Sequence, residues 1–550
     1  MELELFEKTW LDVWDGREPK EPVGAVFTKP PIISLILDLA GYTPHQRRLA
    51  DFRLLEPSCG DGAFIAEAIR RLLISERSHK GVIDWQCQAL SEAITACDLN
   101  SGFVALARSA TQALLLKEGC PVPRSEELAA TWIRHADFLL SAWPDRFDFV
   151  VGNPPYVRIE ELPPPVLQRY RELYQTCTDR ADLYVAFFEK GLRLLSTRGC
   201  LAYICANRFA KNLYGRQLRQ LIAQEYHVRY YLNLEHTQPF ETDVSAYPCI
   251  TVIDRERDLP THAATLESAD ARTIESLRPT NRAQNTSLAA FPSWYLDGAP
   301  WIATELGSFD RLAHLAANCP TLERSAEGTR VGIGVATGAD EIYVRQGLDP
   351  AIESTCQLPL VMAADIQPAG LSWSGHYLIN PFDDIDDGSL RAFESYPGLA
   401  AYFDKHRSAL MARHVAQKRS ESWYRTIDRV TRTLVAKPKL IIPDIQNGGV
   451  VGYDDGSFYP HHNVYWITST AWNLHALQAL LRSSIALEQI RAHSVQMRGG
   501  ALRYQAQVLR KVRLPEFASL PENLVSRLEQ AAGTDDQGLL DRLAVEAFAI

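Results

Sequence analysis

Residues 54–64 read LLEPSCGDGAF. Two leucines lead into an acid, and two glycines follow. The second glycine begins GAFIAEAIRRLLIS, whose apolar residues recur at helical spacing. Glycine permits a tight turn and a close approach of the backbone to a ligand. This stretch therefore predicts a strand ending near Glu56, a turn through Gly60 and Gly62, and then a helix.

The same alternation continues from residue 20 to about residue 255. EAITACDLN (92–100) and FDFVVGNPPY (147–156) are typical of strands that end in polar residues, and the stretch 182–207 predicts a long helix, a stop marked by glycine and a strand. Strands that alternate with helices predict an α/β fold with a parallel, doubly wound sheet. In such a sheet the ligand lies beyond the carboxyl ends of the strands.

The composition is that of a globular protein with several domains. The chain has 550 residues, 46% of them hydrophobic and 23% charged. It has no run of eighteen apolar residues and no secretory signal, so we predict a cytoplasmic protein without a membrane partner. The ten cysteines form no CxxC pair, so we predict buried, reduced thiols and no metal site.

Changes in polarity and in predicted secondary structure along the chain indicate five regions. Residues 256–300 are polar, and beyond about residue 300 short β-rich pieces mix with helical ones, which favours a second, α+β domain. The predicted regions are an N-terminal extension (1–22), the α/β domain (23–255), a connector (256–300), the α+β domain (301–520) and a helical tail (521–550).

One segment reverses the charge of the chain. The formal net charge is −10, yet residues 401–439 contain ten lysines and arginines against three acids, interleaved with Trp423 and Tyr424. Such a run is usually a solvated face, but its length and its aromatic residues favour contact with nucleic acid.

Three acids follow predicted strands in the first domain. Glu56 precedes a glycine turn that is not GxGxxG, and a carboxylate there suits a cationic or hydroxyl-rich ligand better than a diphosphate. Asp98 ends the next strand, where an acid can accept hydrogen bonds from ribose hydroxyls. Asp137 can accept from an exocyclic amine, and Phe138 can cover a purine face. Each alone is more often a surface acid or a core aromatic, but three in succession are a rarer coincidence.

These motifs occur in the order of a known family. GAVFTKPPIISLILDLAGY, LLEPSCGDGAF, ACDLN, ADFLLSAWPDRFDFVVGNPPY and DLYVAFFEKGLRLL follow one another. Together they resemble the TaqI-like, γ-type DNA adenine-N6 methyltransferases of restriction-modification systems. The resemblance covers residues 24 to about 255, and more loosely 300–515, which is similar to the DNA target-recognition domain of that family.

The resemblance implies a cofactor and its site. The cofactor would be S-adenosylmethionine, and a Rossmann-like domain would bind it. The implied site residues are Thr28, Glu56, Pro57, Cys59 and Gly60, with Asp98 at the ribose, Asp137 and Phe138 at the adenine, and Pro155 over it. The gap of about forty residues between Glu56 and Asp98 exceeds the roughly twenty of simple dinucleotide folds, so we predict an extra helix and loop there.

The NPPY segment suggests how an amine could be methylated. The lone pair of an exocyclic amine is delocalised into the ring, and a site that accepts both N–H hydrogens would turn that lone pair outward. The Asn153 side-chain oxygen and the Pro154 carbonyl are two such acceptors, and Pro154 and Pro155 lack competing N–H groups. Tyr156 offers a stacking face for an extruded base. By resemblance, Phe240 would be the second wall.

The implied substrate is double-stranded DNA. We predict phosphate contacts in the basic segment, with Arg413, Lys418, Arg419, Trp423 and Arg425 as candidates. No ExK pair follows PDIQ (443–446), so any cognate restriction endonuclease would be encoded separately. Methylation of RNA or of a protein glutamine amide remains an alternative, as does a non-catalytic DNA-binding subunit.

Overall fold

The computed structural model describes residues 13–14, 26–143, 146–242, 247–279, 289–291, 295, 298, 300–301, 306–323, 328–367, 370–383, 388–494 and 501–550. The chain divides into two compact units, unit 1 (Met1–Gly307) and unit 2 (Ser308–Ile550). The predicted extension 1–22 lies outside the described residues except for 13 and 14.

The described part of unit 1 is built on a nine-stranded sheet in the order β3-β2-β1-β4-β5-β7-β6-β8-β9. Its strands are β1 (Leu54–Glu56), β2 (Ile94–Asp98), β3 (Ile133–His135), β4 (Phe147–Gly152), β5 (Leu195–Ala206), β6 (His227–Asn233), β7 (Pro248–Asp254), β8 (Thr261–Thr265) and β9 (Ala289–Phe291). The first five strands in this order are parallel, whereas β7 is antiparallel to both β5 and β6. The α/β fold is as predicted, but the sheet is mixed rather than wholly parallel.

Helices cover both faces of this sheet, as in a doubly wound fold. They are α1 (Pro30–Ala40), α2 (Ala63–Lys80), α3 (Gln88–Glu92), α4 (Ser101–Lys117), α5 (Val122–Trp132), α6 (Pro164–Leu173), α7 (Tyr184–Arg193), α8 (Arg208–Lys211), α9 (Arg216–Glu225) and α10 (Ala271–Leu277). Ala202 and Ile204 of β5 share a buried cluster with residues of α1 and α2. Tyr203, between them, packs on Phe188 of α7 with ring centroids 5.1 Å apart.

Gly199, the glycine expected to mark the end of helix α7, lies inside strand β5. The helix already ends at Arg193, and β5 runs through Gly199. A Cβ on Gly199 would lie 2.7 Å from the Phe147 carbonyl oxygen, next to an irregularity in the β4–β5 pairing. The residue is therefore small because two strands approach closely there, and the predicted helix end was too late.

Part of the predicted connector belongs to the sheet. Within 256–300, β8 pairs in parallel with β6, and β9 pairs with β8. Ala263 and Ala264 of β8 are fully or almost fully buried. Polar flanks hid strand β8 in the sequence, and only its pairing with β6 and β9 identifies it.

Unit 2 is an α+β structure whose described residues form two four-stranded sheets and two short ribbons. The sheets have the orders β10-β20-β16-β18 and β11-β15-β12-β19, and the ribbons pair β13 with β14 and β17 with β21. The strands are β10 (Arg330–Ile333), β11 (Val344–Gln346), β12 (Gln357–Val361), β13 (Ile366–Gln367), β14 (Gly370–Leu371), β15 (His376–Ile379), β16 (Lys439–Pro443), β17 (Ile445–Gln446), β18 (Gly452–Asp454), β19 (Tyr459–Pro460), β20 (Val464–Thr468) and β21 (Leu502–Arg503).

The remaining helices include the predicted C-terminal tail. They are α11 (Leu306–Asn318), α12 (Asp340–Tyr343), α13 (Pro397–Lys405), α14 (Arg407–Met411), α15 (His414–Lys418), α16 (Leu474–Leu481), α17 (Ser484–His493), α18 (Ala506–Leu509), α19 (Glu522–Ala531) and α20 (Gln537–Phe548). Leu528 and Leu543 of the last two helices share a buried cluster with Leu477 and Leu480 of α16. Residues 521–550 are thus helical but form part of the unit 2 core.

Two further sequence predictions can be compared with the described residues. None of the described helices is both long enough and apolar enough to cross a membrane. The ten cysteines are free thiols, all buried except Cys87, which is half-buried. Their predicted burial is thus confirmed for nine of the ten.

Candidate active site

A cavity of ≈ 410 Å³ opens at the carboxyl ends of the parallel strands of unit 1. This volume is in the range of small-molecule sites. Its walls include every residue that the resemblance assigned to the cofactor, together with the four residues of NPPY. The polar ends of β3, β2, β1 and β4 meet here because parallel neighbours terminate at one edge of a sheet.

The glycine turn after β1 is held by the end of β2. Gly60 and Gly62 have φ values of 53° and 89°, in the left-handed region that favours glycine. The Gly60 N–H donates to Asp98 Oδ2 at 2.9 Å, and the Asn100 N–H donates to Asp98 Oδ1 at 2.9 Å. Asp98 thus lies beside the loop, and the long gap before it contains the end of α2, a loop and α3, in agreement with the predicted extra helix and loop.

Glu56 is the most unusual titratable group of the cavity. Its side chain is 1% exposed, and no described residue makes a hydrogen bond to Oε2. Burial first, and then the charges of Asp98 and Asp61, raise the pKa of this carboxyl well above its usual value. A ligand that brings donors or positive charge would relieve both effects, which fits the ligand class predicted from the sequence.

Both carboxylate oxygens of Asp137 accept hydrogen bonds from other residues of the protein. Its Oδ1 accepts from the N–H groups of Leu139 and Leu140 at 2.8 and 3.1 Å. Its Oδ2 accepts from Trp14 Nε1 at 2.8 Å and from the Tyr170 hydroxyl at 2.7 Å. In this arrangement Asp137 has both oxygens engaged, so an adenine amine would have to displace Trp14 or Tyr170. The sequence contains no local signal for these two residues, which lie 123 and 33 positions away from Asp137.

Phe138 supplies apolar surface next to Asp137. Its ring packs on Phe187 with centroids 5.1 Å apart, and the ammonium group of Lys190 lies 5.2 Å from its centroid. Burial lowers the pKa of Lys190 to about 8, against the opposing pull of Asp137. Phe138 itself is 2% exposed and borders the cavity.

The side-chain amide of Asn153 is fixed in one orientation. Its Nδ2 donates to the Val26 carbonyl at 2.8 Å and to Thr28 Oγ1 at 3.3 Å. A carbonyl oxygen only accepts, so the NH₂ end must face Val26 and the oxygen must point the other way. That oxygen, Oδ1, is buried and has no hydrogen-bond partner among the residues that the structure describes.

The other three residues of NPPY line the same cavity. The Ser58 hydroxyl donates to the backbone carbonyl of Asn153 at 3.2 Å, which ties the segment to the glycine turn. Pro154 and Pro155 border the cavity. The Tyr156 ring is half-buried against Tyr184, with centroids 6.4 Å apart, and still lines the cavity. The unit therefore presents a fixed acceptor beside an aromatic face.

Phe240 does not form a cavity wall in this structure. Its side chain is 2% exposed and meets Tyr156 edge to face, with centroids 6.0 Å apart at 77°. Its backbone pairs with Thr28, and within the described residues the cavity lining does not include it. Phe240 thus supports Tyr156 from behind, and the predicted second wall needs a correction.

Known proteins resemble this chain along nearly its whole length. The sequence is 38% identical over 535 residues to the type II methyltransferase M.XhoI of Xanthomonas vasicola, and the match covers 96% of this chain and 97% of that protein. It is 40% identical over 535 residues to M.PaeR7I of Pseudomonas aeruginosa, covering 96% and 92%. The model of the Eco57I restriction-modification methylase family matches residues 110–240, which include NPPY.

The chain belongs to the type II DNA methyltransferases of restriction-modification systems. The cofactor of these enzymes is S-adenosylmethionine. The structure of the type IIL restriction-modification enzyme MmeI in complex with DNA aligns with a TM-score of 0.61, covering 100% of this chain and 75% of that chain. Their sequences are 13% identical, so that likeness concerns the fold alone.

The basic segment of this methyltransferase is only partly a surface feature. Arg413 points inward, where its guanidinium donates to the carbonyls of Leu410, Thr337, Trp423 and Arg425 at 2.8–3.1 Å. A guanidinium that donates four hydrogen bonds to backbone carbonyls holds loops together and is a poor phosphate contact.

The other four candidates divide into exposed and buried side chains. Trp423 is 5% exposed and packs in the unit 2 core, so its predicted DNA contact also needs a correction. Arg425 is half-buried near the Phe382 ring, and burial, then the charge of Arg419, lowers its pKa. Lys418 and Arg419 are exposed, as a DNA contact requires.

Proposed function

We propose that this enzyme transfers a methyl group from S-adenosylmethionine to the N6 amine of an adenine in double-stranded DNA. The observation that carries the proposal is the Asn153 oxygen. It is buried in the cavity, is held by two hydrogen bonds on its amide nitrogen, and is without a donor among the described residues. A buried acceptor without a donor costs about 1–3 kcal/mol, which a bound N–H group would recover.

The chemistry asks little more of the protein than placement. S-adenosylmethionine, when bound, supplies an activated methyl group on a sulfonium. The Asn153 side-chain oxygen accepts a hydrogen bond from one N–H of the target amine, and the Pro154 carbonyl accepts a hydrogen bond from the other. The nitrogen lone pair is thereby turned toward the methyl group. The adjacent prolines contribute no N–H that would compete for the lone pair. The rate gain then comes from orientation and from fixed dipoles in a cavity that excludes water.

The cofactor site is supported by the same cavity. Gly60 and the buried Glu56 would offer a backbone turn and a carboxyl to its polar end, and Asp98, which holds that turn, would accept from the ribose hydroxyls. Trp14 and Tyr170 share the adenine end with Asp137. We propose that the adenine ring displaces one of them and packs beside Phe138.

A duplex hides the target amine, so the adenine must leave the stack. Unstacking costs a few kcal/mol, which contacts in the pocket must offset. Tyr156 offers one aromatic face, backed by Phe240 and Tyr184. The TaqI-like, γ-type assignment rests on the sequence motifs, and unit 2 would select the DNA sequence. A separately encoded cognate endonuclease in the cytoplasm of the host completes the proposal.

Transfer of labelled methyl groups tests the reaction. The untagged enzyme is incubated with tritiated S-adenosylmethionine and either duplex DNA, RNA or ribosomal protein, and labelled DNA is digested to nucleosides. We expect label in N6-methyladenine only. Label confined to RNA or protein, or to a methylated cytosine, would contradict the proposal.

Asn153→Ala tests the role of the acceptor. Removal of one preorganised polar group that acts in a transition state costs on the order of 10²–10³-fold in kcat, so we expect a reduction of that size. Binding of S-adenosylmethionine, measured by calorimetry, should remain within a few-fold of wild type. Asn212→Ala, a half-buried amide of the same unit outside the cavity, is the matched control. Unreduced turnover by Asn153→Ala would refute the assignment.

A further inference from the structure

Three side chains of types that can bind a metal ion, Asp340, His461 and His462, lie close together in unit 2. Asp340 opens helix α12, while His461 and His462 follow strand β19. His461 Nε2 lies 2.9 Å from Asp340 Oδ2 and 3.0 Å from His462 Nδ1, and His462 Nδ1 lies 3.8 Å from Asp340 Oδ2. No sequence motif predicted this cluster, because Asp340 and His461 are 121 residues apart.

The backbone holds the two contributing segments together. The Val335 N–H donates to the Pro460 carbonyl at 3.0 Å, and Val335 forms a parallel bridge with His461. A Cβ on Gly334 would lie 2.1 Å from the His461 carbonyl oxygen, so only glycine permits this approach. The cluster therefore stands on a preformed frame rather than on a chance contact of surface loops.

The hydrogen bond on the far side of His461 sets its tautomer. His461 Nδ1 lies 2.8 Å from Asn463 Oδ1, an amide oxygen that only accepts. Nδ1 therefore carries the proton in the neutral ring, and Nε2 presents a lone pair. That lone pair faces a carboxylate oxygen and a second imidazole nitrogen. Histidines that bind metals characteristically donate their other N–H in this way.

A metal ion can bind all three of these atoms at once, whereas a single proton cannot. A proton on His461 Nε2 can form a hydrogen bond with either Asp340 Oδ2 or His462 Nδ1, and the other of these two atoms is then left without a donor. A triangle with sides of 2.9, 3.0 and 3.8 Å has a circumradius of about 1.9 Å. A point slightly above its plane thus lies about 2.0–2.1 Å from all three atoms, the distance of Zn²⁺ from imidazole nitrogen and carboxylate oxygen.

The surroundings leave one side open. The Thr337 hydroxyl donates to Asp340 Oδ1, so that Oδ2 remains for a cation. The His461 side chain is 4% exposed, whereas those of His462 and Asp340 are 47% and 43% exposed. Solvent can therefore enter and supply a fourth ligand, as at zinc sites with three protein ligands.

We propose that Asp340, His461 and His462 bind one divalent transition-metal ion of the zinc class. Two imidazoles and one carboxylate favour Zn²⁺, Co²⁺ or Ni²⁺ over Mg²⁺ and Ca²⁺, which prefer oxygen ligands. The ion would link residues 336–340 to the turn 461–463 within unit 2. This proposal does not depend on the proposed methyl transfer. It departs from the sequence prediction that the chain has no metal site.

Metal binding to the full-length, untagged protein tests the proposal. After dialysis against a chelator, Zn²⁺ is titrated by calorimetry, and bound zinc is counted by mass spectrometry after gel filtration. We expect one ion per chain and a higher melting temperature with Zn²⁺. Co²⁺ should produce the visible absorption bands of a low-symmetry nitrogen and oxygen site.

Variants assign the ligands. His462→Ala changes a half-exposed side chain, so the protein should fold, and it should lose the stoichiometric ion and the rise in melting temperature. Asp340→Asn should do the same, while His475→Ala, an exposed histidine of the same unit, should behave as wild type. The proposal is overturned if wild type retains no zinc, or if both ligand variants retain as much as His475→Ala.

Discussion

The cavity of unit 1 and the basic segment 401–439 of unit 2 were both predicted from residue type and position, but the folded chain uses them differently. In the cavity, Glu56, Asp98 and Asn153 converge at one sheet edge. In the basic segment, Arg413 turns inward while Lys418 and Arg419 remain on the surface. Parallel strands force the residues at their ends together, whereas a count of charges does not say where irregular backbone points them.

Lys439 extends the contrast within the basic segment. It is fully buried and pairs with Asp454, Nζ to Oδ2 at 2.5 Å, while its ammonium also donates to the carbonyls of Leu434, Val435 and Lys437. A buried ion pair with its remaining donors satisfied is a structural element of the core. Part of the positive charge that suggested a DNA surface thus serves unit 2 itself.

We expect the largest effect on stability from Arg413. Arg413→Ala removes at least four hydrogen bonds to backbone carbonyls, three of them in other segments, and leaves those acceptors without a charged donor. We expect unit 2 to lose about 3 kcal/mol of unfolding free energy, measured by urea denaturation. Arg429→Ala, an exposed arginine nearby, is the control. Equal stability of the two variants together with weaker DNA binding by Arg413→Ala would restore Arg413 as a phosphate contact.

In the cavity, Glu56 should make the stability of unit 1 depend on pH. Its raised pKa means that the native state holds the proton more tightly than the unfolded chain does, so this group opposes stability once pH exceeds its ordinary value. The wild type should therefore lose stability relative to Glu56→Gln as pH rises from the unfolded pKa toward the native one. Urea unfolding of the cofactor-free proteins at several pH values measures this. A constant difference across pH would mean that folding leaves the pKa of Glu56 at its ordinary value, which would contradict the effect of burial.

The smallest effect belongs to the exposed cations. The double variant Lys418→Ala and Arg419→Ala should leave the unfolding free energy within about 0.5 kcal/mol of wild type. It should lower the slope of log affinity against log salt by about one for each phosphate that these cations no longer neutralise. Fluorescence anisotropy with a duplex of random sequence at several salt concentrations measures the slope. Lys511→Ala, another exposed lysine of unit 2, is the control, and an unchanged slope would exclude both residues from the DNA surface.

Local pattern was sufficient for much of unit 1. The strand-turn-helix at residues 54–80 and the polar ends of β2 and β4 follow from spacing and from glycine, and they place Asp98 and Asn153 at the cavity. Strand β8 was missed because its flanks are polar, and only its pairing with β6 and β9 identifies it. The end of α7 was misjudged because a glycine in a strand and a glycine at a helix stop look alike in sequence.

Short stretches of sequence are enough to identify the groups that could do chemistry: an amide before two prolines, acids after strands and a glycine turn, all set by spacings of a few residues. What those groups contact depends on the folded chain. Trp14 and Tyr170 donate hydrogen bonds to Asp137. Phe240 packs edge to face on Tyr156, and Asp340 lies within hydrogen-bond distance of His461. The physical reason is that these contacts depend on how distant segments pack together, and packing is a property of the whole core rather than of any short stretch.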